Sequence, residues 1–254
     1  MVIPAHAWTP WFSIFGSKSG FDSIEECFDD LSGHIHAIET GLSSDPAMNW
    51  RLSKLDGVAL VSNSDSHSPT RIGREANVFD TEIDYFKIVE AIKSRDPEKF
   101  LYTIEFFPEE GKYHYDGHRA CKISFTPQQT KNANFLCPQC KRPLTVGVLA
   151  RVDELADRAE GFRPANPIPY KNVIPLDQVI SDSLGMGLTG NTGWPKRIWQ
   201  EYEKLIKGLG NEFAVLVDSA RDELSSATLP EIAEGIMKVR SGQVKIEPGY
   251  DGEY

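Results

Sequence analysis

Four cysteines in 254 residues are too few for a disulfide scaffold. No apolar run approaches the ~18 residues that a membrane-crossing helix needs. The opening Met1-Val2-Ile3-Pro4-Ala5-His6 lacks the charged-then-apolar layout of a secretory signal. A cytoplasmic protein with free or metal-bound thiols, and no membrane partner, is therefore expected. There is no internal repeat, no low-complexity tract and no Ser-His-Asp or Cys-His nucleophile pattern. Gly190-Asn-Thr-Gly193 has no Gly-Lys-Ser/Thr behind it, which excludes a nucleotide P-loop. Basic residues are in deficit, 27 against 37 acidic, for a net charge of -10. Taken alone, that total argues against nucleic acid, because an acidic surface repels a polyanion.

The distribution of charge reverses that argument. Residues 112–151 hold Lys112, Arg119, Lys122, Lys131, Lys141, Arg142 and Arg151 against the single acid Asp116, leaving 20 basic and 36 acidic residues elsewhere. A basic island on an acidic body suits a protein that docks on a phosphate backbone through one module. A solvated basic face without a partner is the plainer alternative.

Prolines near Pro108 and across 163–169 mark seams, dividing the chain into 1–108, 109–146 and 147–254. In the first segment, apolar bursts end in polar clusters: Val2-Ile3-Pro4-Ala5-His6, Ile35-His36-Ala37-Ile38-Glu39, and Val58-Ala59-Leu60-Val61-Ser62-Asn63-Ser64-Asp65. Helical stretches at 23–31 and 49–55 lie between them, and an amphipathic run at 82–94 follows. Short buried strands alternating with helices predict parallel β/α units. The second segment mixes β-like stretches with closely spaced Cys and His. The third is predicted helical over 147–159, 176–184, 195–209 and 229–240, with Pro230 and Glu231 suiting a helix start.

Each strand-like burst finishes in a metal-binding type of residue: His6, Glu39, and the pair Asp65 and His67. In β/α architectures side chains at the C-terminal ends of parallel strands face one mouth, and imidazole with carboxylate suits zinc, manganese or iron. Any one of these residues alone is more commonly a cap or a loop polar group. Downstream of His6 come Trp8, Trp11, Phe12 and Phe15, which either pack in the core or stack on bases. Lys18, Arg71 and Arg74 lie on loops near the expected mouth and are candidates for phosphate contacts.

His118-Arg-Ala-Cys121 and, fifteen residues on, Cys137-Pro-Gln-Cys140 give two knuckles whose i, i+3 spacing supplies four tetrahedral ligands. A saturated site of this kind is structural zinc, and it folds a segment too small for its own core. His114 is an alternative fourth ligand, and Cys27 reads as a small apolar side chain. Because the basic island coincides with this module, Arg119, Lys122, Lys141 and Arg142 are expected to grip duplex DNA. Gly185 and Gly187, ahead of a helical stretch, resemble a helix-hairpin-helix turn whose backbone can approach a phosphate.

His6 within Ile3-Pro-Ala-His-Ala-Trp-Thr-Pro-Trp-Phe, the segment Ile38-Glu-Thr-Gly-Leu-Ser-Ser-Asp-Pro, and Asn63-Ser-Asp-Ser-His-Ser-Pro together resemble the later metal-binding motifs of the PHP phosphoesterases. More narrowly, the whole chain resembles the endonuclease Q group. That resemblance implies an α/β fold: the C-terminal part of a distorted β/α barrel, then a zinc module, then a helical DNA-binding domain. It implies a metal-dependent repair endonuclease cleaving 5′ to deaminated bases such as uracil or hypoxanthine in duplex DNA. Two or three divalent metals (Zn2+, Mg2+ or Mn2+) would be held by His6, Asp65 and His67, with Glu39 in direct contact or one step behind.

A PHP barrel opens with a His-x-His strand that has no counterpart ahead of His6, and a β/α barrel takes ~200 or more residues where the first segment has 108. An N-terminally truncated chain with an incomplete metal site is the expectation. Two other functions compete: a PHP phosphatase acting on a small phosphomonoester, and a non-catalytic, zinc-containing DNA-binding protein.

Overall fold

The parallel strands expected in the first segment form, but they are very short. In the computed structural model, residues 1–18, 20–186 and 195–253 are described, so Gly187, the 190–193 turn and Trp194 lie outside the described residues. Strands β1 (Ala37–Glu39) and β2 (Ala59–Val61) run parallel, with Ile38 opposite Leu60, and the first burst joins them through a single parallel bridge between Val2 and Ile35. Alternating side chains of β1 enter two cores, because both of its faces are covered. Ile38 packs with Trp8, Phe15, Met48 and Leu52 on one side, and Ala37 packs with Val61, Ile92 and Phe100 on the other.

Helix starts follow local capping chemistry. Ser23 caps α1 (Ile24–Phe28), Asp45 caps α2 (Pro46–Asn49) and Asp84 caps α3 (Tyr85–Ser94), each side chain accepting from amides of the first turn. An antiparallel pair, β3 (Ala76–Phe79) and β4 (Phe100–Glu105), carries Phe79 and Phe100 into the second core. The zinc-module segment is built on a second antiparallel pair, β5 (Asp116–His118) and β6 (Ile123–Phe125), and on α4 (Pro127–Asn132), which Thr126 and Gln129 start with a reciprocal capping box.

The chain divides into two compact units. One comprises Met1–Ser66, Glu75–Tyr170 and Ile246–Tyr254; the other comprises His67–Arg74 and Lys171–Lys245. Two details depart from the segmentation by proline seams. Helix α5 (Val148–Leu155) belongs to the first unit, because Val148 and Val152 are buried beside Trp8 and Ile14. The tail is also part of that unit: the Asp251 carboxylate accepts from the Arg119 amide at 2.7 Å and from the Thr145 hydroxyl at 2.6 Å.

The second unit is a bundle of α6 (Leu176–Ser183), α7 (Lys196–Leu209), α8 (Arg221–Ala227) and α9 (Pro230–Arg240) around buried Ile180, Leu205, Leu224 and Ile236. Among the described residues no helix is long and apolar enough to cross a membrane. The His67–Arg74 loop is clamped to the bundle by Arg71, whose guanidinium donates two parallel 2.8 Å bonds to Asp177, an aspartate with 2% of its side chain exposed. Removing one partner of such a buried ion pair leaves the other uncompensated, which is costly. Deleting the pair's acid in Asp177→Ala is expected to lower unfolding free energy by about 2–4 kcal/mol, read by urea denaturation of the wild type and the variant.

Candidate active site and zinc module

The ends of β1 and β2 are tied together through one carboxylate. Glu39, the last residue of β1, has 8% of its side chain exposed. Its Oε2 accepts the His6 amide at 2.8 Å and lies 3.2 Å from His6 Nδ1, while Oε1 accepts from Asn63 Nδ2 at 2.9 Å. Asn63 is itself oriented by Asn77 of β3, which donates to Asn63 Oδ1 at 3.1 Å and to the Ser62 carbonyl at 2.8 Å. On the other side of the imidazole, Nε2 lies 3.7 Å from Asp65 Oδ2. Gly41 adopts φ +54°, and a Cβ there would sit 3.2 Å from His6 Nδ1, so the backbone closes over the ring where a side chain would crowd it.

This order of atoms has a chemical consequence. With Glu39 accepting at Nδ1, the proton of a neutral ring resides there and Nε2 is left as the donor nitrogen. A carboxylate behind a histidine in this way fixes the tautomer and raises its basicity as a ligand. The hydrogen bond to Glu39 holds the His6 pKa above its ordinary value; partial burial opposes this, and the charges of Glu39 and Asp65 add to the rise. Burial pushes the Glu39 carboxyl up, but the bonds from His6 and Asn63 outweigh it and leave the pKa below the usual range. Nε2 and Oδ2 at 3.7 Å fit two ligands that each lie ~2.0–2.2 Å from one shared ion. Both His6 and Asp65 take positive φ, +48° and +44°, a region that ordinary residues seldom occupy. His67 is exposed, and its segment groups with the helical unit.

A second carboxyl, Glu105 at the end of β4, is fully buried and is not marked by any motif. Thr103 Oγ1 donates to its Oε1 at 2.5 Å, and Thr40 Oγ1 lies 2.9 Å from its Oε2 and 3.1 Å from the Val61 carbonyl oxygen. A hydroxyl has one hydrogen. A protonated Glu105 that donates to Thr40 lets Thr40 donate to Val61, which satisfies every group. Burial, opposed by these hydroxyls and reinforced by the nearby Asp45, raises the Glu105 pKa to about 8. The available signal was an acid in the apolar strand Tyr102-Thr-Ile-Glu.

In the zinc module, the ligand atoms of His118, Cys121, Cys137 and Cys140 all lie within 4.8 Å of one another, with Cys140 Sγ 3.6 Å from His118 Nδ1. Zn–S of ~2.3 Å and Zn–N of ~2.0 Å in a tetrahedron require separations of roughly this size, so the four residues fit zinc. Among the described residues this is the one group of three or more such side chains that converges so closely. His114 is buried and stacked on Tyr115, outside the four. Against the effect of burial, the amides of Cys140 and Gln139 and the neighbouring thiols draw the Cys137 thiol below its ordinary range, while burial and the same group of thiols push Cys121 up.

The residues named for DNA separate into three groups. Arg119, Lys122, Lys141 and Arg142 are exposed on the module, as is Lys18 on its loop. Arg71 is committed to Asp177, and Arg151 is buried against Asp22, Glu154 and the Phe15 carbonyl, which removes one charge from the exposed island. Arg74 is half-buried. Trp8 is fully buried, with its indole N–H donated to Asn49 Oδ1 at 2.8 Å, so it is a core residue and cannot stack on a base; Trp11 is half-exposed with its edge on Tyr113. Gly185, at φ +63°, terminates α6: its amide bonds the Asp182 carbonyl and that of Met186 bonds Ser181.

Comparison with known proteins places these features in context. The family described as the MJ0043 C-terminal domain matches residues 175–243. Protein MJ0043 of Methanocaldococcus jannaschii is 36% identical over 98% of this chain and 31% of its own length. YqxK of Bacillus subtilis is 34% identical over 100% of this chain and 60% of its own. The lesion-specific endonuclease PfuEndoQ from Pyrococcus furiosus superposes with a TM-score of 0.86 at 30% identity, over 99% of this chain and 60% of that one. A complex of endonuclease Q with a 27-mer duplex substrate bearing an abasic lesion at the active site gives 0.84 at 30% identity, over 99% and 61%. The chain is endonuclease Q-like in sequence and fold along essentially its whole length, and it spans at most about 60% of these relatives.

Glu105 generates a pH prediction. Its folded-state pKa lies above the unfolded one, so the folded chain holds a proton that the unfolded chain releases between pH ~4.5 and ~8, and stability falls as pH rises through that window. Asp45, raised to about 6 mainly by burial, acts with the same sign at lower pH. Thermal melting of Glu105→Gln across pH 5 to 9 is expected to show a flatter decline than the wild type; parallel curves would mean that Glu105 is ionised throughout.

Proposed function

We propose that this endonuclease Q-like chain carries a PHP-type metal-dependent DNA endonuclease site acting on duplex DNA beside a damaged base, cutting 5′ to deaminated bases such as uracil or hypoxanthine. The observation that carries this reading is the Glu39–His6–Asp65 arrangement at adjacent parallel strand ends, set in a chain that matches endonuclease Q over 99% of its length. His6 Nε2 and Asp65 are assigned as metal ligands, His67 as a further ligand from the same loop, and Glu39 as the group that orients His6.

Divalent cations at such a site would lower the pKa of bound water toward ~7 and offset the charge that builds on phosphate during an in-line displacement. The chain's own contributions are distinct from that chemistry. Glu39 keeps the Nδ1 proton in place, Asn63 and Asn77 keep Glu39 in place, and the turn at Asp65 sets its carboxylate 3.7 Å from the ring. The module's exposed Arg119, Lys122, Lys141 and Arg142 supply phosphate contacts, which a small phosphomonoester would not need. His118, Cys121, Cys137 and Cys140 would hold zinc, which would keep those side chains on a fixed frame.

A non-catalytic DNA-binding protein is the second reading, favoured by the fact that four converging ligand atoms occur only at the zinc cluster among the described residues. The test uses labelled duplexes carrying one uracil, hypoxanthine or abasic site, with magnesium or manganese, alongside metal analysis. Lesion-dependent nicking and more than one bound metal per chain are expected. Asp65→Asn should reduce nicking at least ~100-fold, and Glu39→Gln by ~10–100-fold, the usual cost of losing the partner of a ligating histidine. One zinc per chain, with lesion and undamaged duplexes bound alike and neither cut, would establish the second reading instead.

A further inference from the structure

Phe12 is 103% exposed and adopts φ +57°. A large aromatic in that backbone region is uncommon, and a fully solvated one has no packing of its own to offset the cost. The loop that presents it is held firmly. Trp8 and Phe15 are buried with ring centroids 4.8 Å apart, Phe15 donates its amide to the Ala7 carbonyl at 2.9 Å, and Lys18 donates to Pro10 at 2.9 Å. Across the loop Ser13 Oγ donates to the Thr9 carbonyl at 2.5 Å and accepts from the Gly16 amide at 2.9 Å. The loop starts directly after His6, and the Thr9 amide donates to the His6 carbonyl at 3.2 Å.

A rigid mount with an unsupported aromatic at its tip, six residues from a candidate metal-binding imidazole, is the arrangement expected of a side chain whose contacts lie on another molecule. We propose that Phe12 is a wedge that enters the base stack of the bound duplex and holds open the step beside the target nucleotide. The inference rests on the nuclease reading and extends it to a residue that specifies how the duplex is opened. Nucleic-acid bases offer a π-face to any aromatic, and an enzyme working at a base in a duplex must meet the cost of unstacking it. The neighbouring Trp11 stands edge-on against Tyr113 at 5.4 Å, which leaves Phe12 as the unpacked aromatic at the tip. Trp8 cannot share the role, because its ring is sealed in the core.

The experiment uses the full chain with its zinc and a duplex carrying 2-aminopurine next to an abasic site, in EDTA-free buffer with calcium in place of magnesium. Binding by the wild type should raise 2-aminopurine fluorescence, and Phe12→Ala should lose most of that rise, while Phe12→Leu keeps it. With magnesium, Phe12→Ala should nick the paired lesion duplex about 10-fold more slowly, the scale of one lost base–aromatic stack, and should nick the same lesion in an unpaired bulge at the wild-type rate. Phe12→Gly, which suits the positive φ, should behave like Phe12→Ala and melt no lower than the wild type. An unchanged fluorescence rise and nicking rate in Phe12→Ala, or equal loss on paired and bulged substrates, overturns the wedge and leaves the nuclease reading in place. A wild type that neither binds nor nicks any lesion duplex removes the nuclease reading and the wedge with it.

Discussion

The buried carboxylate of Glu39 is the constraint on which the candidate site depends. It ends the central one of three parallel segments, and it binds at once to the His6 amide, the His6 ring and Asn63. A carboxylate with so little contact with water is tolerated only when its oxygens are satisfied, and here the satisfying groups come from two other strand ends, His6 and Asn63. The same bonds that stabilise Glu39 as an anion therefore fix the position of the imidazole and, through Asn63, the start of the loop that carries Asp65. Folding of the sheet and the turning of His6 Nε2 toward Asp65 are the same event.

The zinc module meets the opposite problem, an excess of cations and a shortage of core. Phe135 and Leu136 are exposed, and the knuckle residues Lys122 and Lys141 sit at positive φ, which is hard to hold without an external tie. A metal held by His118, Cys121, Cys137 and Cys140, whose ligand atoms converge within 4.8 Å, would supply that tie. Asp251 of the tail provides another by accepting from Arg119 and Thr145. The result is a basic face carried on an acidic protein, with Arg151 taken out of that face because its guanidinium serves the interior.

Much of this was legible in the sequence, for reasons that differ residue by residue. Strand ends at His6, Glu39 and Asp65 were visible because buried parallel strands leave an apolar run that stops at a polar residue. The Cys/His cluster was visible because its spacing is local. Helices α6, α7 and α9 carry amphipathic patterns, and α8, seven residues long, is too short for its period to stand out. Trp8 could not be assigned to the core, nor Phe12 to the surface, since both lie in one loop and only the fold distinguishes their directions. Glu105 left only the weak signal of an acid in an apolar strand, because one of its partners, Thr40, is 65 positions away. The grouping of His67–Arg74 with the helices includes an ion pair across 106 positions, Arg71 to Asp177, which no local pattern encodes.

Electron spin-echo spectroscopy of Mn2+ added to the zinc-loaded chain tests the central claim most directly, because it reports whether a histidine nitrogen is bonded to the ion. The account predicts one bound Mn2+ with a directly coordinated nitrogen whose signal disappears in His6→Ala and weakens in Glu39→Gln. Mn2+ that stays free in solution, or that binds with no nitrogen coupling in the wild type, would contradict it.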